Sequence, residues 1–266
     1  MPVDIEPLLR DLSAETDLLL ERLNGAGDGV WDRPTPAPGW TVRDQLTHLA
    51  YFDDTAVLAA VNPDAFRAGK EDALRDVDAF TASIARQYST LTGDETRQWF
   101  TRARAELASV YSRLDPESRV PWYGPDMSPA SAVTARLMET WAHGQDIIDG
   151  MGQLRSDSPG LRHVAHIGVR TLPNSFRARS LPVPDSPVRV ELAAPDGELW
   201  EWGPAGAPDE VRGPALDFCL VVTQRRHIDD TRLATTGPVA REWMSIAQAF
   251  AGPPGAGRRA GQFPST

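Results

Sequence analysis

Four segments in the first 152 residues carry apolar side chains at the spacing of an α-helix, and this periodicity constrains the fold more than any other feature. In the first segment the apolar positions are Ile5, Leu8, Leu9, Leu12, Leu19 and Leu23. The predicted long helices cover residues 5–23, 41–62, 94–114 and 128–152. The stretch 64–90 is polar and weakly periodic, and it predicts shorter helices. Four long helices with a lengthy crossover favour a four-helix bundle with a non-simple topology.

Capping residues and prolines mark the ends of these helices. Thr41, with Asp44 three residues later, resembles a capping box, and Pro63 ends the helix that begins there. Ser128 is a cap that precedes Pro129, and proline at the first helical position loses no hydrogen bond. The second and fourth helices are therefore expected to begin at defined residues.

From residue 157 onward the pattern changes to a mixture of helices and strands. Residues 188–202 alternate between polar and apolar positions around Asp196-Gly197, which is a strong hairpin signal. The other predicted elements are a helix over 159–172, a helix over 214–227, a short strand over 231–237 and a helix over 238–250. The expected fold class is α+β. The expected domains are a helical bundle over 1–155, a smaller α+β domain over 156–250 and a disordered Gly/Pro-rich tail over 251–266.

The charge balance argues against two classes of partner. The chain has 27 basic and 37 acidic residues and a net charge of −10, which disfavours a nucleic-acid backbone or an anionic membrane. No segment reaches the roughly 20 apolar residues that a membrane helix needs, and no secretion signal is recognised. Cys219 is the only cysteine, so no intrachain disulfide is expected. These features predict a cytoplasmic protein, and a small anionic substrate bound by a few local arginines is compatible with the charge.

Three residues of types that bind zinc lie on two of the predicted helices. Glu139 and His143 are four residues apart, which places them one turn apart on one helix face. His48 lies about two turns into the second helix. Two histidines and one glutamate are a known ligand set for a catalytic zinc with an open fourth position. Asp146, on the same face as His143, is predicted to be a further ligand or an acceptor for a ligand imidazole.

An exposed polar face is the alternative interpretation of this pattern. The apolar residues of the fourth helix lie nearly opposite the polar stripe, as they do in a helix with one face in solvent. These residues are Leu137, Trp141 and Ile148. Two observations support the metal site, and both interpretations stay open on the residues alone. Ala135 and Ala142 leave room for a close helix approach, and His48 lies beside Phe52 at the edge of an apolar face.

Three segments resemble the motifs of one protein family. They are 38-PGWTVRDQLTHLAYFD-53, 139-ETWAHGQDI-147 and 213-GPALDFCLVVTQRRH-227. The first two are similar to the metal motifs of the DinB-like, mycothiol-dependent maleylpyruvate isomerase family. The third is similar to the helix that carries an arginine in the C-terminal domain of that family, and its TQRRH ending resembles an actinobacterial subgroup. The resemblance covers residues 1–250.

The resemblance implies a fold and a set of site residues. The fold is a DinB-like four-helix bundle followed by a smaller, sterol-carrier-protein-like α+β domain. His48, Glu139 and His143 are implied as ligands of a divalent metal, with zinc expected. Arg225 is implied as the residue that faces the site from the smaller domain, and the neighbouring Arg226 is the alternative.

The resemblance also implies a chemistry in which mycothiol, or a similar small thiol, is the second cofactor. The thiolate of mycothiol adds to the double bond of maleylpyruvate, the resulting single bond rotates, and elimination gives fumarylpyruvate. Relatives transfer the same thiolate to electrophiles. The implied activity is therefore a cis-trans isomerase or a thiol S-transferase, in which an arginine holds a carboxylate with its planar fork.

A non-catalytic protein that binds an apolar, lipid-like ligand is the alternative from another functional class. Trp200, Trp202 and Trp243 would suit such a pocket, although aromatic residues of this kind also suit a plain core. His163 and His166 are three residues apart on one predicted helix without a third candidate ligand. They are interpreted as structural.

Overall fold

The computed structural model describes residues 4–155 and 157–263. The chain divides into two compact units, Met1–Gly160 and Leu161–Thr266. The first unit is helical and the second combines helices with a sheet, so the predicted α+β fold class is confirmed. The finer domain boundaries, at residues 155 and 250, stay a prediction. Among the described residues, no helix has both the length and the apolar character that a bilayer crossing requires.

In the described part of the first unit there are six α-helices. They are α1 (Glu6–Asn24), α2 (Val42–Val61), α3 (Pro63–Arg75), α4 (Val77–Gln87), α5 (Gly93–Tyr111) and α6 (Pro129–Met151). The four predicted long helices correspond to α1, α2, α5 and α6, and the crossover contains α3 and α4. Helix α2 packs against α5 and α6, and α1 packs against α6. Side chains of α2 and α6 can therefore meet inside the bundle.

The loop before α2 determines where this helix starts. Thr41 caps α2 by accepting a hydrogen bond from the N–H of Asp44, and Asp44 accepts one from the N–H of Thr41 in return. Gly39 has a φ of 77°, in the left-handed region that favours glycine. Beyond this turn, the carbonyl of Trp40 accepts a hydrogen bond from the N–H of Thr35 at 2.8 Å. The loop therefore holds Thr35 and Trp40 beside the start of α2.

Helix α6 is buried over most of its surface, because both α1 and α2 pack on it. Leu137 and Trp141 are fully buried, and Asp146 is 1% exposed. The side chains of Glu139 and His143 are 22% and 12% exposed. The interpretation of this stripe as a solvent-exposed face is therefore wrong.

A buried cluster of charges joins α2, α5 and α6. Asp53 on α2 accepts hydrogen bonds from Nε of Arg104 at 2.8 Å and from Nε of Arg136 at 2.9 Å. Arg104 also donates to the hydroxyl of Thr140 at 2.9 Å, and Arg136 donates to the carbonyl of Leu49 at 3.2 Å. Charges removed from water need such partners. The cluster therefore sets the position of α6 along α2.

The described part of the second unit contains four α-helices and four strands. They are α7 (Leu161–Arg170), α8 (Leu172–Ala178), β1 (Val188–Ala193), β2 (Leu199–Trp202), β3 (Asp209–Pro214), α9 (Ala215–Val222), β4 (Ala234–Thr236) and α10 (Pro238–Ile246). The strand order is β2-β1-β3-β4. Strands β1 and β3 are parallel, whereas β1 and β2, and β3 and β4, are antiparallel. The predicted hairpin between β1 and β2 turns at Gly197, with a φ of 89°.

Helix α9 ends earlier than the sequence predicts. The predicted helix extends to residue 227, but α9 ends at Val222. Gln224 adopts a left-handed φ of 61°, and the N–H of Arg225 donates to the carbonyl of Leu220 at 2.7 Å. This is a Schellman motif, which satisfies the last carbonyls of a helix and turns the chain away. Arg225 and Arg226 therefore lie in the loop after the helix.

The tryptophans of the second unit are packed against neighbouring side chains. Trp243 is fully buried and meets Phe218 edge to face, with ring centroids 5.8 Å apart. Trp200 is 8% exposed, and the guanidinium of Arg162 lies 5.6 Å from its ring centroid. These two residues belong to the core of the unit.

The predicted disordered tail is described up to residue 263, and residues 264–266 lie outside the described residues. Its described part forms neither a helix nor a strand. The N–H groups of Gly261 and Phe263 donate to the carboxylate of Asp230, at 2.7 and 3.3 Å.

Candidate metal centre

His48 from α2 and Glu139 and His143 from α6 bring their potential ligand atoms together in the first unit. The three atoms lie within 4.8 Å of one another. Nε2 of His143 is 3.0 Å from Oε2 of Glu139, and Nε2 of His48 is 3.9 Å from the same oxygen. The structure thus brings together the three residues that the sequence predicts as a ligand set.

The spacing of these atoms fits a divalent cation. Ligand atoms about 2.0–2.2 Å from a tetrahedral zinc lie roughly 3.4 Å from one another. The observed separations of 3.0 and 3.9 Å lie on either side of that value. A cation between the side chains would therefore need only small side-chain adjustments. Glu139 and His143 supply two ligands from one helix because residues four apart lie one turn apart on the same face.

Burial and mutual contacts shift the pKa values of two of these groups. Burial, together with the neighbouring His143, lowers the pKa of His48 from 6.5 to about 4. Burial by itself would raise the pKa of Glu139, but hydrogen bonds to His143 and His48 outweigh it and hold that pKa well below its ordinary value. At neutral pH His48 is therefore neutral and Glu139 is ionised, which are the forms that bind a metal.

Aromatic rings surround the two imidazoles. The ring centroid of Trp40 is 5.2 Å from that of His48 and 5.9 Å from that of His143. The rings of Trp40 and His143 are within 21° of parallel. The ring of Phe52, one turn after His48, is 4.6 Å from the imidazole of His48. The two imidazoles are themselves 4.3 Å apart. These contacts restrict rotation of both rings and limit the access of water to them.

Further aromatic residues continue from Phe52 away from the imidazoles. Its ring centroid lies 6.5 Å from that of Phe80, 6.3 Å from that of Trp122 and 5.9 Å from that of Tyr123. All four side chains are partly exposed. Burial raises the pKa of Tyr123, so its hydroxyl is neutral. We call these four residues the aromatic surface, and it borders the candidate metal centre.

Gln45 on α2 is fully buried and hydrogen bonded to His143. Its Oε1 contacts Nδ1 of His143, and its Nε2 donates to Oγ1 of Thr35 at 2.9 Å. Oγ1 of Thr35 in turn donates to the carbonyl of Trp40 at 2.9 Å. The sequence analysis did not single out Gln45. Its position three residues before His48, on the same face of α2, is the signal that could have found it.

Nδ1 of His48 is buried and has no hydrogen-bond partner in the part of the chain that the structure describes. A buried polar atom left unsatisfied costs about 1–3 kcal/mol. A purely structural histidine would carry this cost without compensation, whereas a coordination bond at the other ring nitrogen would offset it. The donor types, their spacing and the protonation states of His48 and Glu139 fit a divalent metal.

The other candidate residues lie outside this group. Asp146 is buried in α6 and is not one of the three clustered ligands, and its role in orienting a ligand stays a prediction. His163 and His166 belong to no group of three potential ligands among the described residues. Nδ1 of His166 accepts a hydrogen bond from Nε1 of Trp202 at 3.3 Å, which agrees with a structural role.

Arg225 and Arg226 lie in the loop after α9, in the second unit. Nη1 of Arg225 donates to the carbonyl of Thr223 at 2.6 Å. The guanidinium carbon of Arg226 lies 4.0 Å from the ring centroid of Phe263, and its Nη1 donates to the carbonyl of Arg225 at 2.7 Å. Arg226 therefore makes a cation–π contact with the tail. The role of either arginine in binding a substrate stays a prediction.

Comparison with protein families gives two matches. The family described as Mycothiol maleylpyruvate isomerase N-terminal domain matches residues 10–148, a range that contains all three clustered ligands. The family described as Wyosine base formation matches residues 184–236, in the second unit.

Two curated proteins of Mycobacterium tuberculosis, from strains CDC 1551 / Oshkosh and ATCC 25618, are similar to the chain over nearly its whole length. Each is 39% identical over 255 residues, which is 96% of this chain and 99% of the relative. Both are described as uncharacterized proteins.

Two solved structures share the fold. The crystal structure of the mycothiol-dependent maleylpyruvate isomerase aligns with a TM-score of 0.57 at 16% identity, over 88% of this chain and 93% of that chain. A histidine-to-alanine mutant of the same enzyme aligns with a TM-score of 0.57 at 15% identity, over 87% of this chain and 93% of that chain. Likeness at this level of identity concerns the fold.

Proposed function

The chain belongs to the mycothiol maleylpyruvate isomerase family through its N-terminal domain, and on that premise we propose that it is a metal-dependent enzyme acting with a mycothiol-type thiol. The observation that carries the proposal is the group formed by His48, Glu139 and His143 inside the matched range. Two imidazoles and one carboxylate are a ligand set for a catalytic divalent metal, and zinc is the ion we expect.

The three residues would leave the fourth position of a tetrahedral ion open, as catalytic zinc sites do. When bound, such an ion would favour deprotonation of a coordinating thiol at neutral pH. The side chains of the protein orient the ligands and exclude water. Trp40 and Phe52 restrain the imidazoles, and the packing of α1 and α2 on α6 limits water around them.

Both proposed reactions begin with attack of the thiolate on an electrophilic carbon. In isomerisation, sulfur bonds to one alkene carbon and the electron pair of the double bond moves into the conjugated carbonyl. After rotation about the single bond, the pair re-forms the double bond and the thiolate leaves, so the thiol is regenerated. In S-transfer, the sulfur–carbon bond remains and the leaving group departs with its electron pair.

Arg225 is the residue that we expect to hold a substrate carboxylate. A guanidinium can donate two parallel hydrogen bonds to the two oxygens of a carboxylate. The choice of Arg225 rests on the resemblance of residues 213–227 to the arginine-carrying helix of the family, in which Arg226 is the alternative.

The aromatic surface supports an electrophilic substrate with an apolar or unsaturated body. It adjoins His48 through Phe52 and is partly exposed. Burying such a body against aromatic rings is favourable, and the neutral hydroxyl of Tyr123 adds no charge that would repel a carboxylate.

The alternative function, binding of a lipid-like ligand, gains no support from Trp200 and Trp243, which pack as core residues of the second unit. An assay separates the two functions. Zinc-loaded protein with mycothiol should convert maleylpyruvate to fumarylpyruvate, or should consume mycothiol with a model electrophile such as chlorodinitrobenzene. Either activity should disappear without the thiol and after chelation of the metal.

The matched control is His166→Ala, which removes a histidine outside the site and should retain the activity. Activity that persists without thiol or metal would contradict the proposal. If the complete mixture consumed neither the substrate nor the thiol, this result would also contradict the proposal. Co-purified lipid would then favour the alternative function.

A further inference from the structure

We propose that the aromatic surface is a specificity subsite that selects electrophiles carrying an aromatic ring, and that Phe80 and Tyr123 determine this selectivity. The inference rests on the proposed function, because it names the class of substrate that the same site accepts. Its binding step involves neither the metal nor the thiol, so it can be tested separately from the chemistry.

The aromatic surface is assembled from three separate segments. Phe52 lies on α2, Phe80 lies on α4, and Trp122 and Tyr123 lie in the loop between α5 and α6. A further ring, that of Phe66 on α3, is 3% exposed. It is parallel to the ring of Trp122 within 5°, with centroids 5.9 Å apart, and its centroid lies 5.4 Å from that of Tyr123. A buried ring therefore supports both rings of the loop, which stay partly exposed.

The loop that carries Trp122 and Tyr123 is held in place by hydrogen bonds to its backbone. Val120 and Met127 exchange two of them, at 2.8 and 2.9 Å. Nζ of Lys70, on α3, donates a third to the carbonyl of Trp122 at 3.0 Å. Binding costs less free energy when the contacting side chains are already ordered. The two rings of the loop are therefore positioned before a ligand arrives.

Edge-to-face contacts converge on Phe52. The rings of Phe80, Trp122 and Tyr123 meet it at interplanar angles of 77°, 60° and 75°. Aromatic pairs prefer such arrangements because the edge of one ring is positive and the face of the other is negative. A ligand ring on the exposed parts of these side chains can make the same contacts, whereas an aliphatic chain cannot. The surface therefore suits a ring better than it suits an aliphatic body.

Charge also favours a neutral ring at this place. The four side chains of the aromatic surface carry no charge, since burial raises the pKa of Tyr123 and keeps its hydroxyl protonated. A carboxylate placed against them would lose water without gaining a counter-charge from them. A ring would instead remove apolar area from water, which is favourable. The subsite therefore suits the uncharged, aromatic part of a substrate.

Phe52 connects the subsite to the candidate metal centre. It follows His48 by one turn of α2, and its ring centroid is 4.6 Å from that of the imidazole. A ring bound on the surface therefore brings an attached electrophilic carbon toward the place where the thiol would react. With an unsaturated ketone that carries the ring on its β carbon, sulfur bonds to that carbon and the π electron pair moves to the carbonyl. The proton lost by the thiol is returned at the α carbon, so no oxidant or reductant is needed.

The binding test uses metal-free protein without thiol and two saturated ketones. Benzylacetone carries a phenyl ring, and methyl propyl ketone has a methyl group in its place. Neither ketone has a carboxylate, so Arg225 does not enter the comparison. An NMR titration should give a lower Kd for benzylacetone, with shift changes at the indole N–H of Trp122. Equal Kd values of the wild type for the two ketones would overturn the proposal.

Variants that remove one ring locate the bound ligand. Tyr123→Leu and Phe80→Leu keep an apolar side chain, and each should raise the Kd of benzylacetone about 3- to 10-fold. Tyr123→Phe keeps the ring and should match the wild type. The matched control is Tyr88→Leu, because Tyr88 is also partly exposed but lies outside the aromatic surface, with its ring centroid 4.4 Å from that of Trp99. Equal weakening by Tyr88→Leu and Tyr123→Leu would contradict the subsite.

The kinetic test uses zinc-loaded protein, mycothiol and the two corresponding unsaturated ketones, benzylideneacetone and ethylideneacetone. Each kcat/KM is divided by the rate of the uncatalysed thiol addition, and the ratio of the two should favour benzylideneacetone in the wild type. Tyr123→Leu and Phe80→Leu should lower this ratio about 3- to 10-fold, by reducing kcat/KM for benzylideneacetone alone. An equal loss for both ketones would show general damage to the site and would contradict the proposal.

The two variants lie in different elements, so the test stays decisive if one of them does not fold, as judged by circular dichroism. A wild type that is inactive with both unsaturated ketones but binds benzylacetone selectively would defeat the proposed function and retain the subsite. A wild type that is active without selectivity for the ring would defeat the subsite alone.

Discussion

His48 on α2 and Glu139 on α6 face each other across the bundle, with Nε2 of the histidine 3.9 Å from Oε2 of the glutamate. The pair is far apart in sequence, and only the packing of the two helices brings it together. The buried contacts of Asp53 with Arg104 and Arg136 hold these helices in register. Substitutions that alter the packing of α2 against α6 are therefore expected to affect both the candidate metal centre and the charge cluster.

Replacing Asp53 should destabilise the fold. Asp53→Asn leaves Arg104 and Arg136 buried without their counter-charge, and breaking a buried pair in this way costs about 3–5 kcal/mol. Urea unfolding of the metal-free protein measures the change in unfolding free energy.

The matched control is Asp54→Asn, at an exposed neighbouring position that accepts a hydrogen bond from Trp99. The control should change the unfolding free energy by less than about 1 kcal/mol. Equal effects of the two substitutions would contradict the role of the charge cluster.

The unfolding free energy of the metal-free protein should fall with acidification from about pH 6.5 to about pH 4. The pKa of His48 is about 4 in the folded protein and 6.5 ordinarily. The unfolded chain therefore binds a proton at His48 across this window while the folded chain does not, which favours unfolding. The lowered pKa of Glu139 acts in the same direction below its ordinary value of 4.5.

Urea unfolding of the wild type and His48→Ala between pH 7.5 and 4 measures the direction of this change in unfolding free energy. The variant should show a shallower decline, and parallel curves would count against a buried, neutral His48.

Glu139 and Asp146 should differ in their effect on metal binding. Glu139→Gln removes the carboxylate that lies between the two imidazoles and should abolish stoichiometric zinc binding. Asp146→Asn lies outside the clustered ligands and should still bind one zinc per chain, with an affinity lowered by no more than about 100-fold if it orients a ligand. Zinc titration by calorimetry distinguishes the two. Loss of stoichiometric binding in Asp146→Asn would assign this residue to the ligand set instead.

Substitution of the two arginines should separate their roles in substrate binding. A charged hydrogen bond contributes about 1.5–3 kcal/mol, so Arg225→Ala should lower kcat/KM for a carboxylate substrate by roughly 10- to 100-fold. Arg226→Ala, which removes the contact with Phe263, should have a smaller effect. Steady-state kinetics on zinc-loaded protein measures both. The reverse order of the two effects would assign the carboxylate to Arg226.

The helices that carry the ligands were predictable because their signals are local. Thr41 and Asp44 mark the start of α2, and Pro129 marks the start of α6, in sequence as in structure. The early end of α9 was not predictable, because the residue in the left-handed conformation is Gln224. This position after a helix is usually glycine, and glycine is the sequence signal for such an end. The family resemblance read from the motifs is confirmed by the family match over residues 10–148.

The surroundings of the ligands depended on tertiary contacts and were beyond sequence analysis. A helical period places Asp146 on a polar stripe, but it cannot show that α1 and α2 both cover α6 and bury that stripe. The hydrogen bonds from Thr35 through Gln45 to His143 connect a loop and two helices. Contacts of this kind have no periodicity in the sequence.

The zinc content of the protein is the decisive measurement for a metal centre formed by His48, Glu139 and His143. Protein reconstituted with zinc and dialysed against metal-free buffer is analysed by mass spectrometry of the metal, as wild type, His48→Ala, His143→Ala and the control His166→Ala. We expect one zinc per chain in the wild type and the control, and a large loss of zinc in the two ligand variants. A wild-type protein without bound zinc, or undiminished zinc in both ligand variants, would contradict it.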